Sequence, residues 1–82
     1  MSRDVVLYTR RLCGICDDTA IELRRLRDDL GFTLIERDVD DDAALRARYN
    51  DLIPVVAVGE KIVAQAPIEP EMLREAIVAA LA

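Results

Sequence analysis

The stretch Tyr8-Thr9-Arg10-Arg11-Leu12-Cys13-Gly14-Ile15-Cys16-Asp17-Asp18 decides how the chain is read. It contains both cysteines, spaced Cys-x-x-Cys, directly after the apolar run Val5 to Tyr8 and directly before a long helical pattern. Strand, tight turn and helix start therefore meet at Cys13. At a helix start the first backbone N–H groups lack partners and the helix dipole is positive, so a sulfur there is favoured as thiolate. Cys16 follows at a spacing that lets the two sulfurs close a small disulfide ring, and the pair points to redox chemistry.

Working outward, Val5, Val6, Leu7 and Tyr8 suit a central strand buried on both faces. Thr19, Ala20, Leu23, Leu26 and Leu30 recur at helical spacing, and Gly31 supplies a left-handed stop, so a helix is expected from about Gly14 to Leu30. Phe32 to Val39 reads as a second strand whose charged end, Glu36, Arg37 and Asp38, suits a sheet edge. The acidic run Asp38, Asp40, Asp41 and Asp42 is expected to cap a helix over Ala43 to Tyr49. A carboxylate metal cluster is the sharper alternative, and nothing nearby in sequence completes it, so no metal site is assigned. Ile53-Pro54 leads into Val55 to Val58, Gly59-Glu60 forms a two-residue hairpin loop, and Lys61 to Gln65 returns antiparallel. Pro70 opens a terminal helix with Leu73, Ile77, Ala80 and Leu81 on one face. The order is βαβαββα. The first two strands should be parallel with a right-handed crossover, and the last two an antiparallel hairpin.

Composition narrows the function. Eighty-two residues suit one domain, residues 1–82, with a modest aliphatic core, and no tryptophan is present. A net charge of -5 argues against nucleic acid or an anionic membrane as partner. The only N-terminal apolar run is too short for a signal peptide or membrane span, so a cytoplasmic location is expected. There a paired cysteine is more often catalytic than structural. The chain has no histidine, which removes the commonest general base and the commonest metal ligand. Tyr8 and Tyr49 read as packing residues.

These features resemble the thioredoxin superfamily and, within it, the short bacterial glutaredoxin-like proteins. The resemblance rests on VVLYTRRLCGICDD (5–18), ERDVDDD (36–42), IPVVAV (53–58) and the hairpin glycine in AVGEKI (57–62), and it covers nearly the whole chain. It implies an α/β thioredoxin-like (glutaredoxin-type) fold, βαβαββα, with a four-stranded mixed sheet and flanking helices. It implies a thiol-disulfide oxidoreductase in which Cys13 is the nucleophile and Cys16 the resolving thiol of a redox disulfide. Pro54 matches the cis-proline opposite the cysteines, and Ile53 the residue whose backbone pairs with a bound peptide or glutathione. Arg10 stands where glutaredoxins carry a basic residue three before the first cysteine, and with its neighbour Arg11 and with Ile53 and Pro54 it is expected to bind substrate.

Three departures qualify the resemblance. Glutathione-using members carry Gly-Gly and an acid after the last strand, where this chain has Ala64-Gln65-Ala66-Pro67-Ile68. Leu7 occupies the position of the buried acid of thioredoxins, and Gly14-Ile15 is neither family's usual dipeptide. No tightly bound cofactor is expected, and glutathione enters only as a co-substrate. A monomer acting on a protein disulfide or a low-molecular-weight thiol is expected, with thioredoxin reductase or glutathione as reductant. The alternatives are iron-sulfur or metal carriage through Cys13 of two chains, and a non-catalytic binding module on the same fold.

Overall fold

The computed structural model describes residues 4–82; residues 1–3, which the expected 1–82 domain includes, lie outside the described residues. Strand β1 (Asp4–Thr9) leads into helix α1 (Gly14–Leu30), then strand β2 (Thr33–Asp38). A single 3-10 turn (Val39–Asp41) precedes helix α2 (Ala43–Tyr49). Strands β3 (Val55–Val58) and β4 (Lys61–Gln65) and helix α3 (Pro70–Leu81) complete the chain. The sheet order is β2-β1-β3-β4. β1 runs parallel to β2, with Thr9 opposite Asp38, and antiparallel to β3, which pairs antiparallel with β4. This is the four-stranded mixed sheet of a thioredoxin-like α/β fold.

The alternation of β1 and β3 assigns their side chains to two cores. Val5, Leu7, Val56 and Val58 pack with Ala20, Leu23 and Leu26 of α1 and Leu73 and Ile77 of α3. On the opposite face Val55, Val39 and Tyr49 form a smaller cluster with Tyr8, Leu45 and Ile53 against it. The tyrosines stack with ring centroids 4.4 Å apart, and burial raises the Tyr8 pKa above its ordinary value, with the Tyr49 hydroxyl adding to the rise. β1 is thus central, but it is fully buried on one face only: Val6 and Tyr8 remain half-exposed. The seven-residue α2 spans about 10 Å, enough to cover the Tyr8 end of that face and not the rest.

Local signals hold the ends. Gly31 adopts φ 79° and closes α1 through its N–H to the Arg27 carbonyl. Asp42 caps α2 by accepting from the N–H groups of Ala44 and Leu45. Gly59, with φ 59°, takes the first loop position between paired Val58 and Lys61, and Glu60 does not share the positive φ, the pattern of a II′ hairpin. A bulge beside Val56 and Ala57 shifts the register of β4. Among the described residues no helix is long and apolar enough to cross a membrane.

Candidate redox site

The site begins where β1 ends. Cys13 is the N-cap residue of α1, with extended backbone (φ -116°, ψ 105°), and its Sγ accepts the N–H of Cys16 at 3.3 Å. A sulfur therefore fills the role usually taken by a serine or aspartate oxygen at a helix start. Cys13 and Cys16 are joined by a disulfide, with Cα atoms 5.2 Å apart. Cys16 is fully buried on the inner face of α1, while Cys13 keeps part of its surface open. Geometry thus separates an approachable sulfur from a protected one.

The preceding loop is tied to the acidic run. Arg10 donates to both carboxylate oxygens of Asp40, at 2.8 and 3.1 Å, and also to the side-chain oxygen of Asn50. Arg11 donates its backbone N–H and its Nε to Asp38 Oδ2, each at 3.2 Å, and its Nη2 to Asp41. Asp38 also accepts the N–H of Asp40 at 2.8 Å. That backbone N–H, with Arg11 behind it, holds the Asp38 carboxyl below the ordinary carboxylate range. Hydrogen bonding to Asp40 and Asp38 raises the two guanidiniums in turn. Both arginines, expected from sequence beside a substrate, are thus engaged within the chain. The acids do cap helices as expected, and pairing with the arginines is the role the sequence reading missed. A signal for it exists: parallel β1 and β2 end side by side, so the residues that follow each strand must meet.

Leu12, between this clamp and Cys13, has φ 59° and a fully exposed side chain. On the other side of the cysteine turn, Pro54 is buried and the Ile53–Pro54 peptide bond is cis. The N–H of Ala66 reaches the Pro54 carbonyl at 3.1 Å and the Leu52 carbonyl at 3.4 Å, fastening this loop to the end of β4. Ile53 packs with the tyrosine cluster. Pro54 meets the first turns of α1 across a cleft of about 230 Å³ lined by Ile15, Asp18, Thr19, Pro54, Pro67 and Ile68. The Ala66–Pro67 bond is also cis. From sequence Pro67 and Ile68 enter only as part of the segment that lacks the glutathione-binding glycines, and nothing local shows that this segment folds back onto α1. Among the described residues no group of three or more His, Cys, Asp or Glu side chains is arranged to hold a metal ion.

The sequence profile of the Glutaredoxin-like domain (DUF836) matches residues 4–79. The chain belongs to this family. Uncharacterized proteins of Mycobacterium tuberculosis and Mycobacterium bovis are each 44% identical over 62 residues, covering 68% of this chain. The chain spans 64% of the length of these curated relatives. Among solved structures, the X-ray structure of structural genomics target XcR50 from X. campestris superposes with a TM-score of 0.77 at 28% identity, covering 92% of this chain and 96% of that one. The solution structure of Ne2328 from Nitrosomonas europaea gives 0.70 at 29%, covering 85% of each chain. Thioredoxin 1 of Thermosipho africanus gives 0.73 at 12% identity, covering 95% and 93%, a likeness of fold alone. The glutaredoxin-like domain described here thus has a thioredoxin-like fold and carries a disulfide-linked cysteine pair at the start of α1.

Proposed function

We propose that this glutaredoxin-like protein is a dithiol-disulfide oxidoreductase in which Cys13 attacks and Cys16 resolves. The observation that carries the reading is the pairing of an approachable N-cap sulfur, hydrogen-bonded to a helix amide, with a buried sulfur one turn along the same helix. In the reduced protein the same amide and the helix dipole favour the Cys13 thiolate. That thiolate attacks a substrate disulfide and expels one substrate thiolate, which takes a proton from solvent. Cys16, once deprotonated, attacks Cys13 Sγ and expels the second. Two electrons pass from the dithiol to the substrate, and the protein is left with the Cys13–Cys16 bond. A reductase or glutathione then regenerates the dithiol. Ile53 and Pro54 form the wall against which substrate backbone lies. The carboxylate partners of Arg10 and Arg11 support a loop-holding role for these arginines over direct contact with substrate.

The test is consumption of 2-hydroxyethyl disulfide by the prereduced protein. One disulfide should be consumed per chain, Cys13→Ser should abolish the reaction, and Cys16→Ser should accumulate a mixed disulfide visible by mass. Undiminished turnover by Cys13→Ser would overturn the assignment.

A further inference from the structure

Resting on the redox reading above, we infer that the preferred substrate is a protein segment whose disulfide-bonded cysteine lies beside an apolar side chain and a lysine or arginine. The cleft between α1 and Pro54 has walls of Ile15, Pro54, Pro67 and Ile68, and among the described residues its only charged lining side chain is a carboxylate, Asp18. Its volume of about 230 Å³ lies below the roughly 300 Å³ at which small-molecule pockets begin. It accepts one apolar side chain, so the rest of the occupant spreads over the open surface around Cys13 and belongs to a larger molecule.

Charge points the same way. Arg10 and Arg11, the cations of the Cys13 loop, are paired with Asp38, Asp40 and Asp41. Asp17 and Asp18 stand exposed on the first turns of α1. The chain carries a net charge of -5. An anionic ligand such as glutathione, with two carboxylates, meets no guanidinium in the cleft among the described residues and does meet Asp18. A basic segment is drawn in by the same field.

Leu12 supplies a third, independent observation. An apolar side chain fully exposed, on a backbone in the left-handed region that L residues rarely adopt, directly before the reactive cysteine, has no packing role inside the chain. Held outward beside Cys13, it is suited to touch the apolar flank of an incoming partner.

The experiment measures the rate at which the prereduced protein reduces the symmetrical disulfides of two capped hexapeptides, Ala-Leu-Cys-Leu-Lys-Ala and Ala-Leu-Cys-Leu-Glu-Ala, alongside glutathione disulfide. In each reaction one peptide disulfide gains two electrons and the protein dithiol becomes its disulfide. At low ionic strength the lysine peptide should react about tenfold faster than the glutamate peptide and than glutathione disulfide, and the advantage should shrink in salt. Asp18→Lys should reverse the peptide preference, whereas Glu75→Lys, the same charge change on α3 outside the cleft, should keep it. Ile15→Ser should slow both peptides. Equal peptide rates, faster glutathione disulfide, or a preference unmoved by Asp18→Lys would overturn the inference while leaving the redox reading standing. Failure to reduce even 2-hydroxyethyl disulfide would instead remove the redox reading beneath it.

Discussion

Leu12→Gly should make the protein more stable and a poorer catalyst, which is an unusual sign for a leucine replacement. Leu12 holds φ 59° with its side chain fully exposed, so truncation removes no buried surface. A non-glycine residue in the left-handed region costs about 1–2 kcal/mol. Glycine removes that cost but gives back about 0.5–1 kcal/mol through the greater freedom of the unfolded chain. The net gain lies between about 0 and 1.5 kcal/mol and centres near about 0.75 kcal/mol, or about 3–6 °C in Tm for a domain of this size. Leu12→Ala is the control, because it keeps the strained backbone and loses only the exposed methyl groups. Its Tm should stay near the wild-type value, within the roughly 0.5 kcal/mol expected of a surface change. Both variants, as oxidised proteins, are compared by thermal melts and by urea titration with the m-value checked for constancy. Both should slow the reduction of peptide disulfides if the leucine touches the partner. A Leu12→Gly protein no more stable than Leu12→Ala would refute the reasoning, since residue 12 would then not be held in the left-handed region.

The Cys13 thiol of the reduced protein should be alkylated by iodoacetamide with a pH midpoint below the free-thiol value of about 8.5; a midpoint at or above it would remove the helix N-terminus as the activating feature. Asp38, whose folded pKa lies below its ordinary 3.8, contributes stability that is present above pH 3.8 and is lost as pH falls towards the lowered folded value. The urea midpoints of wild type and Asp38→Asn should therefore differ at neutral pH and draw together as the pH falls below 3.8, and a gap that does not narrow over that range would contradict the clamp. Leu23, fully buried between α1 and the sheet, should cost about 2–5 kcal/mol on replacement by alanine, read as a lower urea midpoint.

The sequence by itself determined the elements and their order. Short uninterrupted apolar runs and apolar stripes at helical period carry their own signatures, and Gly31, Asp42, Gly59 and Pro70 act within a few residues of the turns they make. Cys13 and Cys16 were legible for the same reason, since a helix start is local and four residues encode it. What only the tertiary structure decided involves residues far apart in the chain. Arg10 finds Asp40 and Arg11 finds Asp38 because the ends of two parallel strands lie side by side. Pro67 and Ile68 come to face Ile15 because the connection after β4 turns back across α1. Val6 stays half-exposed because α2 is too short to cover it, a matter of how far one helix reaches over a sheet. Short-range steric and hydrogen-bonding preferences are written residue by residue; which charges are neutralised and which apolar surfaces remain open depends on where the sheet brings distant segments together.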